Sequence, residues 1–88
     1  MPRISEIFGI AVYMYWFDNK RHKKPHIHAI FGGNQVVVDF NGQILAGSIG
    51  RRGDKLIQEF VKERKIELES AWSLAIKGED LPWINPIS

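Results

Sequence analysis

The sequence predicts a single α+β domain over residues 1–88: a small antiparallel β-meander of three to four strands, packed on one face by two C-terminal helices. Three observations predict it. Short runs rich in β-branched and aromatic residues fill the first half of the chain. Glycine-bearing turn signals separate those runs, and after Gly50 the apolar residues recur at helical spacing. Size agrees, because 88 residues hold one core and leave no room for a second.

Residues 10–17 (Ile-Ala-Val-Tyr-Met-Tyr-Trp-Phe) are apolar throughout. The run is short for a helix and reads as a central strand buried on both faces. A polar loop follows, then two strand-like runs at 25–31 and 35–40, divided by Gly32-Gly33-Asn34. Asn41-Gly42 signals a two-residue type I′ turn into a further run at 43–46. Leu56, Ile57, Phe60 and Val61 then mark a first helix, with Asp54 placed to cap its free amides. Leu68, Ala71, Trp72 and Ala75 repeat the i, i+3, i+4, i+7 pattern in a second helix that ends near Gly78. The tail at 81–87, with Trp83, Ile84 and two prolines, is expected to lie extended against the body.

Strand register follows from burial. A two-residue loop at Gly32-Gly33 or Gly33-Asn34 puts Ile27, Ala29 and Phe31 on one face with Val36, Val38 and Phe40, an apolar surface for the helices. The other face receives His26 and His28 with Asp39 and Gln35. A three-residue loop would mix the two surfaces. The register therefore places His26, His28 and Asp39 together, opposite the face packed against Leu56, Phe60 and Trp72. His28 lies farther into the strand than His26 and is the better held of the two, on a partly exposed face.

Composition bounds the chemistry. With 44% hydrophobic and 25% charged residues the chain is an ordinary globular one, and with no cysteine it has no disulfide, thiolate zinc site or thiol nucleophile. Nothing resembles a charged leader or a bilayer-spanning segment, so no membrane association is expected and a cytoplasmic location is the default. The net charge of +2 is unevenly spread. Residues 1–55 carry eight Lys and Arg against four acids, and residues 56–88 carry four against six. One basic end fits a polyanionic partner.

The richest stretch is Lys20-Arg21-His22-Lys23-Lys24-Pro25-His26-Ile27-His28, which holds all three histidines. Side chains two apart on a strand share a face, so His26 and His28 stand side by side. With Asp39 they are the parts of an acid–base site, in which a carboxylate fixes one ring and the other works near neutral pH. A phosphodiester held by Lys20, Arg21, Lys23 and Lys24 would make this a metal-free ribonuclease needing no cofactor. The same three side chains are also a ligand set for a divalent metal, or simply a surface that contacts a partner. Arg51 and Arg52, before the first helix, are further candidate phosphate contacts.

Ile4-Ser5-Glu6-Ile7-Phe8-Gly9-Ile10, Met14-Tyr15 and Pro25-His26-Ile27-His28-Ala29 together resemble a small bacterial family, domain-of-unknown-function family 4160. The likeness continues through Gly47-Ser48, Arg51-Arg52, the helix of Leu56, Ile57 and Phe60, Leu68 and Trp72, to Ile84-Asn85-Pro86-Ile87. Members are often encoded beside a small protein of family 2442. The resemblance thus implies the toxin component of a type II toxin–antitoxin module, neutralised by a small antitoxin-like protein and acting on RNA or the ribosome. It supplies no catalytic residue set. The alternatives are a non-enzymatic protein- or nucleic-acid-binding module and a metal-dependent hydrolase, and a chain this small leaves room for a homodimer. Residues 18–24 carry more cations than the family's usual loop.

Overall fold

In the computed structural model, which describes residues 3–15 and 24–86, the apolar N-terminal region is divided by a turn. The chain runs β1 (Arg3–Ile7), β2 (Ile10–Tyr13), β3 (His26–Phe31), β4 (Asn34–Asp39), β5 (Ile44–Gly47), α1 (Arg51–Glu63) and α2 (Lys65–Ile76). The strands pair in sequence order as one five-stranded antiparallel sheet. The fold is α+β, with one strand more than the sequence predicted. No helix among the described residues is long and apolar enough to cross a membrane.

The additional strand is β1. A bulge between Arg3 and Ser5 lets Ile4 join the core with Ile7, although strict alternation sends residues three apart to opposite faces. The β1–β2 turn is Phe8-Gly9, with φ of 48° and 81°. Two positive φ values are the type I′ requirement, and a non-glycine residue there costs about 1 kcal/mol. Phe8 accepts that cost as a residue that is 81% exposed.

The β3–β4 hairpin has the expected register: Gly32-Gly33 forms the loop, and His26↔Asp39, Ile27↔Val38, His28↔Val37 and Ala29↔Val36 are cross-strand partners. The next turn differs from expectation. Asn41-Gly42 is not a two-residue loop, since Gly42 N–H donates to Asp39 O at 3.1 Å and Asp39 N–H to Gln43 O at 2.9 Å. Only Gly42 in this turn has positive φ, 88°. That pattern is a three-residue loop closed by a glycine bulge. Gln58 from α1 clasps it, donating from Nε2 to Gly42 O at 2.7 Å.

The helical face of the sheet presents Val12, Ile27, Ala29, Val36 and Val38 to Ile57, Phe60 and Val61 of α1 and Leu68, Ala71, Trp72 and Ala75 of α2, all in one buried cluster. Asp54 does not cap the free amides of α1 as read from sequence: from the first turn it reaches back to the preceding loop, accepting from Ile49 N–H at 2.8 Å and from Ser48 Oγ–H at 2.6 Å. The helices meet at Arg64, whose guanidinium donates to Asn85 O at 3.0 Å and Pro86 O at 3.1 Å. The tail so held runs along β1, where Ile84 N–H donates to Ile4 O at 2.7 Å.

Candidate functional site

Alternation along β3 and β4 gathers His26, His28 and Asp39 on one face, as the register argument required. The face is not the open surface expected. His26 is 0%, Asp39 2% and His28 4% exposed. Two aromatic rings contribute the cover. Tyr15 stacks on His28, centroids 4.3 Å apart, and Trp72 of α2 packs on His26 at 5.4 Å. The expectation that the histidines lie wholly apart from Trp72 therefore fails at the His26 end of the strand.

Local bonds assign the imidazole and the carboxylate. His26 Nδ1 lies 2.7 Å from the Lys24 carbonyl. A carbonyl only accepts, so Nδ1 carries the hydrogen and, in the neutral ring, Nε2 carries the lone pair. The tautomer is thus set by the backbone at the start of β3 and not by Asp39. Asp39 Oδ1 is engaged elsewhere, accepting from Asn41 N–H and Gln43 N–H, both at 2.9 Å. An aspartate opening a turn commonly does this. The His26 and His28 rings meet edge-on with centroids 5.1 Å apart. Among the described residues no three His, Asp or Glu side chains group as metal ligands would.

The second carboxylate oxygen opens onto a different feature. Asp39 Oδ2 is buried without a hydrogen-bond partner among the described residues, and Lys24 Nζ stands 3.6 Å from it. Both line a cleft of about 320 Å³ that also includes Asn41, Lys65 and Glu69. Lys65 Nζ donates to Asn41 Oδ1 at 2.8 Å, which holds a second ammonium over the same opening. Neither histidine is among its walls. Sequence reading missed Lys65 because it sits 24 residues from Asn41, on a helix whose other cues concern packing.

The remaining candidates divide. Lys20, Arg21 and Lys23 lie outside the described residues. Arg51 and Arg52 are exposed in the first turn of α1. They share a groove with Phe31 at the far end of β3, five residue steps or about 16 Å along the strand from His26. The arginines and the Lys24 cleft therefore lie towards opposite ends of β3.

Residues 9–73 match the family described as a domain of unknown function, DUF4160. The chain belongs to that family. The match spans β2 through most of α2, and so takes in His26, His28, Asp39 and Lys65. No curated protein and no solved structure matches the chain significantly.

Proposed function

We propose that this protein is the toxin component of a toxin–antitoxin pair and that it acts by binding RNA at the Lys24–Lys65 cleft. Membership of the DUF4160 family supports the first half, through the paired-gene arrangement that the resemblance implies. The observation that carries the second half is the donor and acceptor set of the cleft. Two ammonium groups flank a buried carboxylate oxygen that has no hydrogen-bond partner among the described residues. A bare phosphate would be opposed by Asp39 and Glu69. A nucleotide brings both a phosphate for the lysines and hydroxyl or amino hydrogens for the carboxylate, so it suits the mixed set better.

In this reading His26 is a support, and Asp39 is a support through Oδ1 and an acceptor for the nucleotide through Oδ2. One fixes the start of β3, the other the turn beside the cleft, and both are buried as supports should be. The test is expression of the chain with and without the small antitoxin-like protein that the family resemblance leads one to expect beside it. Wild-type expression is expected to arrest growth, and co-expression to relieve the arrest. A Lys24→Ala/Lys65→Ala variant should fold and not arrest. Its RNA affinity should lose about 1.4 from the magnitude of the salt slope, near 0.7 for each phosphate contact on a single strand. A fully toxic double variant would remove the cleft from the mechanism.

One observation favours a second reading, a metal-free ribonuclease. The Lys24 carbonyl fixes the Nδ1–H tautomer of His26, which makes Nε2 the accepting nitrogen of the neutral ring. RNA cleavage that survives EDTA and is lost in His26→Gln would establish it. Intact RNA after incubation with the folded protein would leave the binding reading alone.

A further inference from the structure

The far end of the sheet carries a concave groove of about 430 Å³, walled by Phe8, Ile10, Phe31 and Leu56, with Arg51 and Arg52 at its rim. It lies away from the Lys24 cleft and shares no residue with it. Two features of its wall run against local physical preference. Phe8 holds a left-handed backbone conformation, φ 48°, that glycine or asparagine takes far more readily. Phe8 is also 81% exposed, and Phe31 beside it is 47% exposed. Arg51 and Arg52 occupy the first turn of α1, where the helix dipole disfavours cations and favours acids. Neither choice helps the free fold. Departures from local preference that converge on one surface are the mark of a surface kept for something else.

We propose that this groove is a docking site for a protein partner, and that it takes an extended or helical segment in which leucine or phenylalanine anchors alternate with glutamate or aspartate. The apolar walls accept the anchors, and the two guanidinium groups pair with the carboxylates, bidentately where geometry allows. The chemistry of the walls decides between a protein segment and a nucleic acid. Single-stranded RNA is held by aromatic planes set along a continuous basic track, and among the described residues the cations lining this groove are two, both at one rim. Here the concavity is completed by Ile10 and Leu56, which offer a base no hydrogen bond and offer an aliphatic anchor good contact. A second copy of this chain would bring a second pair of arginines to the same place and is disfavoured by like charge. The inference stands on residues that the proposed RNA cleft does not use, so either can fail without the other.

The test uses the full chain and a fluorescein-labelled peptide carrying one leucine and one phenylalanine between glutamates, read by fluorescence anisotropy. A companion peptide has lysine in place of each glutamate. The acidic peptide is expected to bind with micromolar affinity and the basic one at least tenfold more weakly. Phe8→Gly and the pair Arg51→Glu/Arg52→Glu should each weaken the acidic peptide by about tenfold or more. Both changes satisfy the local preference that the native residues violate, so each variant should be at least as stable as wild type. Loss of binding then reports the surface and not unfolding. Lys24→Ala/Lys65→Ala should leave the peptide affinity unchanged. Equal binding of the two peptides, or full affinity in Phe8→Gly, overturns the proposal. So does a labelled uridine oligomer that loses its binding in the groove variants, which would assign the surface to nucleic acid. A dimer in sedimentation that dissociates in Phe8→Gly would assign it to self-association and overturn it as well.

Discussion

Replacing Asp39 by alanine tests whether this carboxylate is first a piece of the scaffold. The substitution leaves the amides of Asn41 and Gln43 without the acceptor they share at 2.9 Å. Side-chain hydrogen bonds of this kind contribute about 1–1.5 kcal/mol each, and a stranded buried donor adds to the loss. The Lys24 contact adds little, because that side chain is 59% exposed at 3.6 Å and water screens it. Release of a buried carboxylate from its desolvation offsets part of the loss. The net expectation is a destabilisation of about 2 kcal/mol, or a melting temperature lower by about 8–16 °C for a domain of this size. Asp39→Asn keeps an oxygen for both amides and should cost less than about 1 kcal/mol. Urea titration and thermal denaturation followed by circular dichroism measure both. An alanine variant within about 0.5 kcal/mol of wild type, or an asparagine variant as unstable as the alanine one, would refute the assignment of Oδ1 to the turn.

Other outcomes follow from the same kind of reasoning. Gly42→Ala should destabilise by about 1–2 kcal/mol, since φ is 88° and the added Cβ would stand 2.6 Å from Lys62 Cε; chemical denaturation checks it. Phe8→Gly should be neutral or stabilising by up to about 1 kcal/mol, relief of the left-handed backbone outweighing the greater freedom of the unfolded chain. A clear loss of stability would mean that the ring packs in solution. His28→Ala should cost about 2–3 kcal/mol because the ring is buried and stacked on Tyr15, whereas a partly exposed site would lose little. Arg64→Ala should speed hydrogen exchange at the Ile84 amide without changing exchange in the middle of β3, because only the tail depends on that guanidinium.

What was legible in the sequence was what burial on one face dictates. The pairing of β3 with β4 followed from Ile27, Ala29, Val36 and Val38 needing a common side, and His26, His28 and Asp39 were carried to the other side with them. The helices were legible because Ile57, Phe60 and Val61, like Leu68, Ala71 and Trp72, repeat at the helical period. β1 was not, since its turn is marked by phenylalanine in a conformation that phenylalanine seldom takes. Asn41-Gly42 announced a turn but not its length, because a glycine in the left-handed region closes both a two-residue loop and a three-residue one. The burial of the histidine face depends on Tyr15 and on Trp72, which arrives from α2 more than forty residues later in the chain. No local pattern records such a contact. The same holds for Lys65, whose place over the Asp39 cleft is set by where α2 begins.

The bond from Ile84 to Ile4 has a bearing on how the chain is made. The outer edge of β1 offers unpaired amides and carbonyls, and about eighty residues must be synthesised after Ile4 before Ile84 can meet them. Until then the nascent sheet carries an open edge that another chain can extend. A long closing step also raises the mean sequence separation of contacts, which slows folding relative to a chain of local hairpins. Arg64 shortens that interval. Once the two helices have formed, it holds Asn85 and Pro86 near the edge they must cover, so the segment after α2 is kept close to the strand it closes.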